Sequence, residues 1–275
     1  MVDFIISKQC NNIFIGNFNF NGMNGSSFSY YFKKLPINIL YRYIMDNIND
    51  ILFKLHEEIE FTNKKELMRE IPEQLMVLTH LKPTDIVLEF GGSIGRNTCI
   101  ICKILNDSSN LVTIEPNETE RIGLEKNKLL NKFKFNIEPS VLSTTPLYIL
   151  EWHSFKEEIK DSIKIECIDW TNLNEKYKLK FNVLIIDNEG NFVDNLKEFP
   201  EMLADIELIS IEHDFNNIED LDYFNNSMKV NSFFMIDKYM KTDEYGPGID
   251  WIDGVKDDPI FISVWKKMKN NFINN

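Results

Sequence analysis

Three stretches of this chain have the residue types and spacing for chemistry. The first is Glu89-Phe90-Gly91-Gly92-Ser93-Ile94-Gly95-Arg96-Asn97. An apolar run ends there in an acid and enters a turn with three glycines. Glycine reaches backbone angles other residues avoid and lets the chain approach a ligand closely. The second is Glu115-Pro116-Asn117, after the apolar run Leu111–Ile114. A carboxylate at that place suits a bidentate bond to the vicinal hydroxyls of a ribose. The glycine spacing is not GxGxxG, and no basic residue stands where the phosphates of a dinucleotide would need one. A nucleoside without phosphates fits better.

The third stretch is double: Asp187-Asn188-Glu189-Gly190 and Glu212-His213-Asp214 each close an apolar run. Like charges so near one another repel unless they are protonated or shared by a cation. The acids could be solvated loop residues or helix caps. They could instead do general-base work, with Glu189 or His213 taking a proton from a hydroxyl while Asp187 and Asp214 orient it. A third reading is a divalent cation, Mg or Mn, on Asp187, Glu212 and Asp214, since hard cations prefer oxygen ligands and would acidify a bound hydroxyl.

These residues need a scaffold that brings strand ends together. From residue 83 onward apolar runs alternate with helical patterns. Strands are expected at 86–90, 111–114, 135–142, 183–186, 208–211, 230–236 and 260–264, with helices at 96–105, 119–131, 193–203 and 218–226. Short continuous apolar runs are what strands buried on both faces show. Two further extended runs, 147–152 and 163–168, could pair antiparallel. The expected architecture is an α/β sheet with helices on both faces, whose ligands lie at the carboxyl ends of the strands.

Residues 1–65 read as an N-terminal, mainly helical extension to a domain of residues 66–275. Residues 4–20 could form a hairpin, residues 21–27 are a loop, and Pro36 opens a helix to about Glu58. Ile37, Leu40, Ile44, Ile48, Ile51 and Leu55 recur at helical spacing on it, a face for packing on the domain or for a homodimer. A second helix over 64–81 carries Leu67, Ile71, Leu75 and Leu78 on one side, with a kink expected at Pro72. The glycine- and acid-rich segment 243–254, with Trp251, reads as a substrate lid. His153, beside Trp152, is a weaker candidate for a role.

Together the Gly loop, Ile114-Glu115-Pro116-Asn117, Leu124-x-x-Asn127 and Ile186-Asp187-Asn188-Glu189-Gly190 resemble the FkbM-type S-adenosylmethionine-dependent methyltransferases, over about residues 70–265. The resemblance implies a class I methyltransferase (Rossmann-like) fold, a seven-stranded mostly parallel sheet in the order 3-2-1-4-5-7-6. It implies methyl transfer from S-adenosyl-L-methionine to a hydroxyl, often on a sugar, nucleotide-sugar or glycan. Glu89, Gly91, Gly92, Ser93, Gly95, Arg96 and Asn97 would flank the methionine part, with Asp187 nearby. Glu115, Pro116 and Asn117 would hold the ribose, and Leu142 and Ser143 would border the adenine.

Composition narrows the classes. The 275 residues carry a net charge of −13, which repels phosphate backbones and disfavours nucleic acid. No apolar run reaches membrane-spanning length, and no signal segment opens the chain. Of the four cysteines, Cys99 and Cys102 form a lone CxxC, which implies buried packing rather than zinc. Such usage fits a reducing, cytoplasmic setting. The rival readings are a methyltransferase acting on protein or nucleic acid, and a non-catalytic interaction protein on the same fold.

Overall fold

The computed structural model describes residues 4–5, 14–15, 37–150, 153–241, 255 and 258–268, with the backbone alone at 4–5, 14–15, 37–46 and 153–154. The 21–27 loop, Pro36, Trp152, the side chain of His153 and the 243–254 segment lie outside the described residues.

The chain runs β1 (Phe4–Ile5), β2 (Phe14–Ile15), α1 (Ile37–Glu58), α2 (Lys64–Leu67), α3 (Ile71–His80), β3 (Val87–Phe90), α4 (Arg96–Ile104), β4 (Leu111–Ile114), α5 (Glu118–Asn131), β5 (Asn136–Glu138), β6 (Val141–Leu142), β7 (Leu147–Leu150), β8 (His153–Phe155), β9 (Ile163–Ile165), β10 (Cys167–Ile168), α6 (Trp170–Tyr177), β11 (Val183–Ile186), α7 (Phe192–Glu198), β12 (Leu208–Glu212), α8 (Ile218–Val230), β13 (Phe233–Met240) and β14 (Ile260–Lys267). The main sheet has seven strands in the order β13-β14-β12-β11-β3-β4-β5. β14 is antiparallel to both its neighbours, and the other pairings are parallel. Numbered in chain order within the sheet, this is 3-2-1-4-5-7-6, the class I methyltransferase arrangement.

Every residue of β3, β4 and β11 is buried. Side chains alternate between the faces of a strand. Leu88, Phe90, Leu184, Ile186, Ile209 and Ile211 therefore join a core with α7 and α8. Val87, Val183, Ile185 and Leu208 join a second core with α3 and α4. Leu52, Ile59, Phe61 and Leu67 belong to that second core, so the residues around α1 and α2 pack on the sheet's α3/α4 side. Fully burying one such side chain contributes roughly 1.5–3 kcal/mol.

Three sequence expectations change. Residues 64–81 form two helices rather than one kinked helix. Asn63 caps α2 by accepting from Lys65 N at 3.2 Å, and Pro72 sits in the first turn of α3, where its missing N–H costs little. The strand expected at 135–142 is split: β5 joins the main sheet, while β6 pairs with β10 in parallel. The 193–203 helix ends at Glu198 and is followed by a 3-10 turn at Pro200–Leu203. The two extra runs pair antiparallel in part, as β7 with β9, while Cys167–Ile168 of the second run form β10 and join β6 in parallel. β1 and β2 also pair antiparallel. Cys99 and Cys102 are buried, and burial pushes both thiols upward.

Candidate active site

The loop between β3 and α4 is held from three directions. Gly91 and Gly92 donate to Ile114 O at 3.0 and 3.2 Å, tying the loop to the end of β4. Gly91, at φ +85°, lies so close to β11 that a Cβ there would stand 1.6 Å from Asp187 O. Ser93 also takes a left-handed conformation, at φ 43°. Its N–H donates to Glu115 Oε2 at 2.6 Å, while Asn117 N donates to Glu115 Oε1 at 2.8 Å. Glu115 is thus clamped between the Gly loop and the start of α5, with lone pairs left on both oxygens. Arg121 donates to the carbonyls of Glu115 and Pro116, both at 3.0 Å, and Asn117 caps α5.

Leu124 and Asn127, one turn apart on α5, explain the rest of the loop. A Cβ on Gly95 would meet Leu124 Cδ1 at 2.8 Å. Asn127 is fully buried, donates to Ile94 O at 2.8 Å and accepts from Thr62 N at 2.9 Å. Glu89 lies beneath the loop, accepting from Thr98 Oγ1 at 2.7 Å. It is 1% exposed, so it supports the loop from below.

Leu142 and Ser143 stand at the β6–β10 pair. Leu142 O accepts from Asn195 Nδ2 at 2.5 Å, and Ser143 Oγ donates to Glu198 Oε2 at 3.2 Å. Both are buried beside the first core.

Asp187 and Glu212 end neighbouring strands and hydrogen-bond to each other. By strand alternation both share the face of Ile185 and Leu208, toward α3 and α4. His213, one residue on, falls on the opposite face. Both its ring nitrogens are engaged there, Nδ1 with Asp258 Oδ2 and Nε2 with Ser263 Oγ, each at 2.6 Å. At 2% exposed it is a core residue next to Phe215, and burial lowers its pKa. Sequence reasoning put His213 with the acids; the period of two takes it away from them. Asp214 turns to Gly190, accepting its N–H at 2.6 Å. Glu189, at φ 55°, is a non-glycine residue in the left-handed region in the turn after β11. Such conformations cluster at functional sites.

Three carboxylates that sequence reasoning missed complete this half. Arg96, in the first turn of α4, pairs with Glu66 and with Glu70, both at 2.9 Å, and donates to Ser93 Oγ at 3.2 Å. Glu73 and Asn97 face a small cavity that Asp187, Glu212, Ile185 and Ile262 also line. Glu66, Glu70 and Glu73 recur at helical spacing beside the apolar positions of 64–81, which is the only signal the sequence holds for them.

Burial raises the carboxylates. Glu89 and Glu115 are each pushed up to about 7 and Glu73 to about 8, with desolvation the largest cause in each case. Desolvation also raises Asp187 and Glu212 well above the usual range, and their mutual repulsion with Glu73 and Asp214 adds to it. Glu70 is raised as well, although Arg96 opposes the shift.

The expected metal set is not assembled. Asp214 accepts a backbone N–H, Asp187 and Glu212 share a hydrogen bond, and among the described residues no group of three or more His, Cys, Asp or Glu is placed to hold a metal ion. No helix among the described residues is long and apolar enough to cross a membrane.

No protein-family model matches the chain, and no curated protein matches it either. Solved structures that align with it include an rRNA methylase from Streptococcus thermophilus, at TM-score 0.41 and 11% identity, covering 72% of this chain and 93% of the other. A candidate tRNA (m1A22) methyltransferase from Streptococcus pneumoniae, in complex with S-adenosyl-L-methionine, aligns at TM-score 0.44 and 14% identity, covering 72% and 74%. A candidate O-methyltransferase from Klebsiella pneumoniae aligns at TM-score 0.44 and 13% identity, covering 84% and 96%. At such identities and scores it is the strand order that carries the fold: a Rossmann-like methyltransferase sheet.

Proposed function

We propose that the chain is an S-adenosylmethionine-dependent O-methyltransferase, of FkbM type, acting on a hydroxyl of a small polyhydroxylated acceptor such as a sugar, nucleotide-sugar or glycan. The observation that carries this reading is Glu115, held by Ser93 N and Asn117 N at the mouth of a loop shaped by left-handed Gly91, Ser93 and Gly95. A fixed carboxylate beside a glycine loop at the second strand end fits the ribose of a nucleoside.

The cofactor would supply a methyl already activated on a sulfonium. The chain's own work is then to hold the acceptor in line and to take a proton. Glu189 is the residue we assign as proton acceptor: its carboxylate would take the hydroxyl proton of the acceptor as the methyl group is transferred to that oxygen. The left-handed turn, held by Gly190 N on Asp214, would aim that carboxylate. No step is routed through a metal.

Thermal unfolding with saturating S-adenosylmethionine or S-adenosylhomocysteine tests the pocket. A ligand at 100 times its dissociation constant stabilises by about 2.7 kcal/mol, roughly 5–10 °C for a chain of this size. Absence of any shift with either ligand sinks the reading and moves a non-catalytic interaction protein to first place. Glu189→Gln should keep the shift and lose about 100-fold in turnover, within the 10²–10⁴ range for general bases. Against nucleic acid as acceptor stand the net charge of −13 and the carboxylates around the strand ends. Of the expected α1 face, Ile48 and Leu55 pack against the second core while Ile51 stays 40% exposed, and light scattering on the unaltered chain and on Ile51→Ser would test a homodimer through that helix.

A further inference from the structure

Beyond the end of β12 the side chains of residues 213–216 take turns. His213 and Phe215 are buried, with Phe215 in the first core. Asp214 and Asn216 turn to Gly190 instead. Asp214 Oδ2 accepts Gly190 N at 2.6 Å, and Asn216 Nδ2 donates to Gly190 O at 3.2 Å. The approach is so close that a Cβ on Gly190, at φ +79°, would stand 2.7 Å from Asp214 O. Asn191 Nδ2 braces the same turn from within, on the carbonyls of Asn188 and Glu189 at 2.9 and 3.1 Å. The bonds at Gly190 tie it to the chain beyond β12. The turn that carries Glu189 is thus cast against residues 214–216, and what fixes those residues fixes the turn.

A closed ring of side chains does the fixing. His213 meets Phe215 at 5.2 Å between ring centroids, Phe215 meets Phe224 of α8 at 5.3 Å, and Phe224 meets Trp265 of β14 at 5.6 Å. Trp265 Nε1 donates to Ser263 Oγ at 2.7 Å, and Ser263 Oγ lies 2.6 Å from His213 Nε2, which closes the ring. These partners assign the tautomer. The Asp258 carboxylate, 2.6 Å from Nδ1, can only accept, so Nδ1 carries the ring proton. Ser263 already accepts from Trp265 and has its own proton to give to Nε2. Asp258 is anchored in turn, its Oδ1 taking Ile260 N at 3.0 Å at the start of β14. His213 N donates to Phe261 O at 2.7 Å. An apolar ring could fill this volume, but apolar contact has no direction. Bonds at both ring nitrogens and at the backbone fix the rotation of His213 as well as its place.

Resting on the assignment of Glu189 as proton acceptor, we propose that His213 is a positioning residue for the reaction: locked between Asp258 and Ser263, it holds residues 214–216 and so sets where the Glu189 turn stands. His213 itself touches no substrate and moves no proton. Its work is done through Asp214 and Asn216 on Gly190, one residue from the Glu189 carboxylate.

Hydrogen exchange of the Gly190 amide, followed by NMR on the full chain, tests this without any acceptor. His213→Phe keeps the ring volume and loses the direction. It should speed Gly190 exchange about 10-fold, the worth of one charge-assisted hydrogen bond. His213→Asn, whose amide can still donate to Asp258, should recover most of that protection. Asp258→Ala should release Gly190 too, and it carries the test if His213→Phe does not fold. Leu173→Ala, in the first core on α6, controls for lost stability alone. If Gly190 exchanges no faster in His213→Phe than in Leu173→Ala at matched stability in urea, His213 is packing only and the proposal falls. It falls as well if His213→Asn protects Gly190 no better than His213→Phe. S-adenosylhomocysteine affinity, read by calorimetry, should stay within about twofold in His213→Phe, since the cofactor loop lies at the ends of β3 and β4. A large loss there would make His213 a support of the cofactor pocket and overturn its assigned role. Absence of S-adenosylhomocysteine binding by the unaltered chain defeats the methyltransferase reading, whatever the exchange rates. Intact binding with an unmoved Gly190 defeats the positioning role alone.

Discussion

The two halves of the site are built on opposite principles. At the ends of β3 and β4 the acids and amide that grip the loop have their partners: Glu115 takes two backbone N–H groups, Asn127 gives one bond and takes one, Glu89 takes a hydroxyl. At the ends of β11 and β12 carboxyls stand against carboxyls, and Glu73 Oε2 and Asn188 Oδ1 are buried without a partner among the described residues. The first half is a finished mould, as a site for an unchanging ligand should be. The second gathers carboxyls whose burial and mutual repulsion raise them, so that protons relieve the crowding of charge.

Mutations on the finished side should show this first and most severely. Gly91→Ala forces a Cβ against Asp187 O at φ +85° and should cost about 4 kcal/mol or more, read as a lowered urea midpoint. An unchanged midpoint would mean the two loops are not in contact in solution. Arg96→Ala, at the seam between the halves, leaves Glu66 and Glu70 without their guanidinium and should cost about 3 kcal/mol. Arg96→Lys should recover part of it, because an ammonium cannot span both acids as the fork does. Glu115→Ala should weaken S-adenosylhomocysteine about 100-fold in calorimetry, two charge-assisted contacts' worth; normal affinity would reject the mould.

Both sides should show themselves in pH. Glu73, Glu89 and Glu115 have folded values near 8, 7 and 7, above the ordinary carboxylate value of 4.5. Between those limits the folded chain binds more protons than the unfolded chain, so stability falls as pH rises. The window opens near 4.5 and closes near 8. The unfolding temperature should therefore drop by several degrees from pH 5 to pH 8. Glu73→Gln should flatten the upper part of that slope, between 7 and 8. A slope that survives there would place the titration elsewhere.

How far the sequence could be read follows the same division. β3, β4, β11 and β12 were legible because burial on both faces leaves unbroken apolar runs, and Glu115 because the strand before it ends at a fixed place. The Leu124-x-x-Asn127 spacing pointed to the residues that shape the loop. Glu66, Glu70 and Glu73 were not legible, since an acid on an amphipathic helix is ordinarily solvated, and their partner Arg96 lies in another element. His213 was misplaced because residue order does not say which face of the sheet a strand-end side chain takes. Its partners, Asp258 and Ser263, sit 45 and 50 positions away. The break between α2 and α3 was hidden because apolar spacing continues across it, and only the cap at Asn63 and the helix-starting Pro72 mark it.

Asn127 joins three distant stretches with one side-chain amide: Thr62 before α2, Ile94 in the loop, and its own place on α5. None of the three can loosen without releasing the others. In hydrogen-exchange terms the amide of Thr62 should open to solvent together with the amides of the β3–α4 loop, as one cooperative unit, though Thr62 makes no part of the pocket. Anything that quiets the loop, a bound nucleoside included, should then be audible at residue 62.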